Sequence, residues 1–340
     1  MTTETSDPQL ATPPTHPFTR DDADIVLRSS DGVDFHVHRM VLILASPTLQ
    51  SLFTVPQPTY TTPDSSEMTK DGKPIVDMHG EDAQTLEAVL REWYPSMESI
   101  AYQDLSIVVK VLVMSSKFDM KGIAERMESV LQKKSFLTKD PLRVYAIASR
   151  FGLRQAAEAA AKESLLHPAI PAKCPEDYET MSAADHHKLL AYRARCTRVL
   201  DDILIGWKWY TSSSSWPFEN IYKSTWCTCT GPGSYGAVEK GYHRLTGNYN
   251  SLIMRLRGNM SSPCAHWFLE HIERVRVAFA HVVTGSTVTA PDNIQQTFTT
   301  IREAGLNCEC ARAGPQDLLM FSNELAKQVD KALSLVKFVF

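Results

Sequence analysis

The sequence predicts an α/β domain, a small sheet surrounded by helices, followed by an all-α C-terminal region. Three observations predict it. Residues Asp24 to Phe53 hold a β-hairpin and two short helices in about thirty residues. The second half of the chain places apolar residues at helical spacing. The chain has 340 residues and 43% hydrophobic content, enough for two packed domains.

The first elements read directly from the residues. Asp24-Ile25-Val26-Leu27-Arg28 alternates as a half-buried strand, Asp31-Gly32 is a turn dipeptide, and Val33-Asp34-Phe35-His36-Val37 alternates again. Arg39 to Ala45 reads as a helix. Ser46-Pro47 opens the next one, with a capping hydroxyl and a proline at the first helical position. Leu49, Leu52 and Phe53 share a face of it. Residues 1–19 are a polar, Thr/Pro-rich tail expected to be disordered. From Val55 to Gly72 the composition turns to Pro, Thr, Ser and Asp, which predicts a mobile surface loop.

Phe35-His36-Val37-His38-Arg39, then Leu42, Ser46-Pro47 and Phe53, resembles the opening of a BTB/POZ domain. The resemblance extends over residues 20–135. It places a third strand at Lys73 to Met78 and a helix at Asp82 to Tyr94, with Ala83, Leu86, Val89, Leu90 and Trp93 on the apolar face. It reads Leu105 to Ile123 as the family's last helical hairpin. Fungal BTB proteins with a plain helical C-terminal region look similar. The resemblance implies a protein–protein interaction module and not an enzyme. It implies either an adaptor that recruits a partner to a cullin-type ubiquitin ligase, or a homo- or hetero-oligomeric scaffold or transcriptional co-regulator with no DNA-binding module of its own.

Beyond it, Asp140-Pro141 is a cap-plus-proline start, Leu142 to Phe151 runs helical, and Gly152 stops it. Leu153 to Leu166 is an alanine-rich helix ending before Pro168. This pair, residues 136–167, resembles the helical extension of BTB adaptors. A Pro/Cys/Pro linker, Pro168 to Pro175, leads to a helical C-terminal domain, 176–340. Helices are expected at Asp185 to Tyr210, Pro263 to Val283, Pro291 to Ala304 and Pro315 to Val339, with a weaker one ending near Gly258.

The net charge is −4, so no global field draws the chain to nucleic acid or anionic membrane. No apolar run approaches a membrane span, and the N-terminus carries no secretory signal. The expected compartment is intracellular, nucleus or cytoplasm, where the seven cysteines are thiols or metal ligands before disulfides. No nucleophile elbow, P-loop, His-Glu-x-x-His or paired-carboxylate arrangement is present. Gly231-Pro-Gly233-Ser-Tyr-Gly236 spells G-x-G-x-x-G, but no buried strand feeds it, and it reads as a loop.

Interface residues follow from the resemblance. Asp24 and His38-Arg39 stand where the family places a charged pocket near its dimer interface. A buried carboxylate needs a paired guanidinium. The alternative is that Asp24 caps the start of the strand and Arg39 only begins a helix. The tail before Asp24 lacks the alternating strand that strong BTB dimers exchange. Tyr94, Met97 and Glu98 stand where a cullin would touch, and Met97-Glu98 loosely resembles the family's hydrophobic-x-acidic pattern. Possible metal ligands are Cys227-Thr-Cys229, Cys264-Ala-His266 and Cys308-Glu-Cys310. Four thiolates, or three and an imidazole, satisfy a structural zinc ion if folding brings them together. The other reading is of ordinary thiols and no cofactor. His36 and His38 point the same way on a strand end, with no third ligand nearby in sequence.

Overall fold

The structure, a computed structural model, describes residues 17–54, 69–94, 97–206, 266–303 and 309–340. They fall into two compact units. One holds Met1–Lys139 with Ile147–Ala156, the other Asp140–Ala146 with Ala157–Phe340.

In the first unit a four-stranded sheet has the order β2-β1-β4-β3. Strands β1 (Ile25–Ser29) and β2 (Asp34–Val37) form an antiparallel hairpin pairing Ile25 with Val37 and Arg28 with Asp34. Gly32, in the connecting turn, has φ 81°, where a side chain would be strained. Helices α1 (Arg39–Ala45) and α2 (Pro47–Thr54) follow, as expected. The Val55–Gly72 segment departs from a plain loop at its end. Thr69–Lys70 forms β3, which turns through Asp71 and Gly72 at positive φ and pairs antiparallel with the start of β4 (Lys73–Met78). The remainder, residues 55–68, lies outside the described residues. Strand β4 then runs parallel to β1, Val26 opposite Ile75.

Helix α3 (Ala83–Trp93) is capped by Asp82, which accepts from the Thr85 amide. It buries Leu86, Val89 and Leu90 completely, while Ala83 and Trp93 are half-buried. Helices α4 (Leu105–Lys117) and α5 (Lys121–Leu131) form a hairpin, with Val108, Val111, Leu112, Ile123 and Met127 in the core. A short helix α6 (Lys134–Lys139) follows. Helix α7 (Pro141–Arg150) begins on the Asp140 cap, whose carboxylate accepts from the Arg143 amide at 3.1 Å. Gly152, at φ 70°, ends the run. In helix α8 (Arg154–Glu163) the amide of Gln155 donates to the Glu128 carboxylate at 2.7 Å.

In the second unit, α9 (Ala183–Gly206) buries Leu189, Tyr192, Cys196, Leu200 and Leu204, a stripe at helical spacing. Helices α10 (His266–Ala278), α11 (Pro291–Glu303) and α12 (Glu309–Ser334) follow. Helix α10 stops five residues before the expected Val283 and turns back through His281. Helix α12 begins six residues before Pro315, which sits inside it. Between α10 and α12 lies a buried polar cluster. Thr297 Oγ1 donates to the Asn293 carbonyl at 2.7 Å, so it accepts from His271 Nδ1 at 3.0 Å. His271 Nε2 is then the acceptor for the Ser322 hydroxyl at 3.1 Å. Burial, reinforced by the Arg274 charge, lowers the His271 pKa to about 3, so the ring is neutral. The expected helix ending near Gly258 and the Gly231–Gly241 loop lie outside the described residues.

Candidate protein-interaction surface

Helix α1 leaves its first backbone donors without intrahelical partners. No His38 side-chain cap forms. Instead the carboxylate of Asp24, on the other side of the hairpin, accepts from the Arg39 amide at 2.7 Å. The Arg39 guanidinium points elsewhere: it donates to the Phe53 carbonyl at 3.1 Å and its Cζ stands 5.0 Å from the centre of the Phe53 ring. Asp24 is exposed. Asp24 and Arg39 are therefore adjacent, as the charged-pocket expectation placed them, but they meet through backbone. An exposed carboxylate keeps its hydration and needs no guanidinium; one amide donor at a helix start suffices.

His38 is tied inward. Its amide donates to the Tyr94 hydroxyl at 2.8 Å, and its Nδ1 lies 3.2 Å from the same oxygen. Tyr94 Oη therefore meets both the backbone and the ring of His38, and the other ring nitrogen, Nε2, faces Asp22 Oδ1 at 3.6 Å. Arg20 holds Asp22 in a two-pronged pair at 2.8 and 2.7 Å, which lowers the Asp22 pKa to about 2. The Tyr94 ring packs edge-on against Phe18 at 5.3 Å; burial raises the pKa of its hydroxyl. Phe18 is buried, and its carbonyl accepts from the His36 amide. Tyr94 is thus a clamp between α3 and the hairpin. Beyond it, Met97 is half-buried and Glu98 exposed, while Pro95 and Ser96 are outside the described residues.

Arg39 and Phe53 join the start of α1 to the end of α2. The residues beside them, Met40 and Leu52, face solvent. Met40 is 64% exposed and Leu44, one turn on, is 80% exposed. Residues four apart share a helix face, so α1 presents an apolar stripe outward while Leu42 fills the core. Met40 and Leu44 were not among the residues singled out from the sequence, because the Arg39–Ala45 run is apolar on every side and periodicity cannot assign its faces; Leu52, expected on one face with Leu49, is 45% exposed while Leu49 is buried.

Residues 17–135 match the family model of the BTB/POZ domain. This part of the chain is a BTB/POZ domain. Comparison with curated proteins gave no match. A BTB/POZ domain is a protein-interaction module, and the outward stripe of α1 lies within it. The hairpin, the two short helices and the α4–α5 hairpin occupy the places that the resemblance implied.

The cysteine set is positioned only in part. Cys227, Cys229, Cys264 and Cys308 lie outside the described residues. His266 begins α10 and Cys310 lies in α12, and neither side chain is among those described. Among the described residues, no three His, Cys, Asp or Glu side chains group as metal ligands. Cys196 is buried in α9 and Cys174 exposed. No described helix is long and apolar enough to cross a membrane.

Proposed function

We propose that the chain is an interaction scaffold whose BTB/POZ domain self-associates through the outward face of α1 and α2. The exposed pair Met40 and Leu44 supports this reading. Fully burying such a side chain yields about 1.5–3 kcal/mol. Two of them from each copy, with Leu52 at the margin, support a weak association once the entropy of binding is subtracted. A stable interface buries on the order of 1,000 Å² or more. The expected dimer therefore exchanges in the micromolar range.

Sedimentation analysis tests this. The chain is expected to shift from monomer to dimer over about 1–100 μM, and Met40→Asp with Leu44→Asp to remain monomeric with unchanged helical signal. A monomer at 100 μM would rule out the scaffold reading.

The second reading is the cullin adaptor. It is supported by the helical pair that follows the family match: Ile147–Ala156 belongs to the same compact unit as the BTB/POZ domain, and Glu128 caps the start of α8. Exposed Glu98 and half-buried Met97 are the outward residues for such a contact. Pull-down with a purified cullin N-terminal domain decides it. Binding lost with Glu98→Arg supports an adaptor; no binding by the intact chain excludes it.

A further inference from the structure

Glu92 lies in the last turn of α3 with its side chain 2% exposed. A buried carboxylate is costly unless its oxygens are paired. Here Oε1 accepts from the Tyr102 hydroxyl at 3.1 Å, and Oε2 accepts from the Ser99 hydroxyl at 3.1 Å and the Arg126 guanidinium at 3.2 Å. Two of these donors, Ser99 and Tyr102, stand in the irregular stretch Met97–Asp104 between α3 and α4; the third comes from α5. Burial, with the Glu92 charge beside it, raises the Tyr102 pKa, so the phenol keeps its proton and remains a donor.

The stretch is fixed at its two ends as well. Upstream, the Tyr94 hydroxyl accepts from the His38 amide, and the Tyr94 carbonyl accepts from the Met97 amide at 3.1 Å. Downstream, the Asp104 carboxylate accepts from the Ser106 amide at 2.9 Å and caps α4. Between these anchors Tyr102 is buried while Glu98 and Ser99 face solvent. Residues 98–103 carry neither helix nor strand, so side chains hold them, and Glu92 takes two at once.

We propose that Glu92 is the positioning residue of a recognition loop: it presets Met97–Asp104, so that Met97 and Glu98 are oriented before a partner arrives. The proposal rests on the adaptor reading above and supplies the part of the molecule that shapes its contact. A preset loop loses little ordering entropy on binding. A loop ordered in only a fraction of the molecules binds with its affinity reduced by that fraction.

Backbone amide relaxation is measured by NMR on the intact deuterated chain, on Glu92→Leu, and on Ser99→Ala with Tyr102→Phe, which removes both loop donors and leaves the Glu92–Arg126 pair in place. Each chain is also titrated with the purified cullin N-terminal domain. The parent loop is expected to show order parameters of about 0.85, as rigid backbone does, and the loop of both variants to fall below about 0.6 while α3 and α4 keep their values. Cullin affinity is expected to drop about tenfold in the variants, as for a loop ordered in about one molecule in ten. A parent loop below about 0.6, variant loops as rigid as the parent's, or loosened loops that bind with parental affinity would each overturn the proposal. A parent that binds no cullin, with loop order changing as expected, removes the adaptor reading alone and supports the hold of Glu92 on the loop.

Discussion

At Ser46 one hydroxyl joins two helices. It accepts from the Leu49 amide at 3.0 Å, capping α2, and donates to the Phe118 carbonyl at the end of α4. Losing a cap costs about 1–2 kcal/mol, and here the half-buried Phe118 carbonyl also loses its donor. Ser46→Ala is expected to lower the urea midpoint of unfolding without changing its slope. Half of this role was legible: Ser46-Pro47 announces a cap, but nothing local names Phe118, 72 residues away. Glu92 was not legible at all. It sits on the apolar side of α3 and is buried, held by Tyr102, Ser99 and Arg126. A glutamate in a helix reads as solvated surface until its partners from other elements arrive.

His271 gives a pH dependence whose sign is fixed by its geometry. The folded ring has its pKa lowered to about 3 from the ordinary 6.5. The unfolded chain therefore binds the extra proton first. The contribution to stability is complete above 6.5, the unfolded value, and shrinks as the pH falls from there toward 3. The loss approaches about 1.4 kcal/mol per pH unit. Between pH 6.5 and pH 4.5, His271→Gln is expected to lose about 2–3 kcal/mol less stability than the parent chain. Parallel urea titrations at the two pH values measure the difference; equal losses would show that the ring titrates freely.

Among the elements, the turn at Gly285 packs directly on α12. Its amide donates to Asp330 Oδ1 at 2.7 Å, and a Cβ there would collide with the Ala326 carbonyl and approach the Asp330 carboxylate to 2.6 Å. Backbone on one side and a hydrogen-bonded carboxylate on the other leave no flexible group to yield. Gly285→Ala is expected to cost about 1–3 kcal/mol, seen as a lower melting temperature, whereas Gly122→Ala, with open space around its Cα, is expected to be neutral or mildly stabilising. Helix ends were the least legible feature. Pro315 looks like a start, yet α12 begins at Glu309, and the proline sits at its seventh position, past the first turn whose amides have no intrahelical partner. Strand β3 was hidden because two residues carry no period.

For the molecule as a whole, the two compact units share one helix. Pro141–Ala146 falls in one and Ile147–Arg150 in the other. The family match ends at residue 135, short of the elements that complete the first unit. A chain ending at Ser135 would lack α8, the helix whose amides Glu128 caps. It is expected to melt several degrees below a chain ending at Leu166, as each 1 kcal/mol lost shifts a domain of that size by about 2–4 °C. Equal melting temperatures would make the matched residues self-sufficient. Most of the architecture was legible because its elements carry clear periods. Pairings between distant segments were not, since period says nothing about neighbours.

The position of β1 between β2 and β4 bears on how the chain first folds. Its antiparallel partner lies one tight turn away, whereas Val26 meets Ile75 only after about fifty residues of chain have closed into a loop. The β1–β2 hairpin can therefore form locally, on the microsecond scale, and wait with one edge open. Capture of β4 is the slow, non-local event. Lengthening the Pro/Thr/Ser-rich stretch before β3 taxes that closure only logarithmically, about 0.6 kcal/mol per doubling. That stretch can drift in length across evolution while the strand order stays fixed.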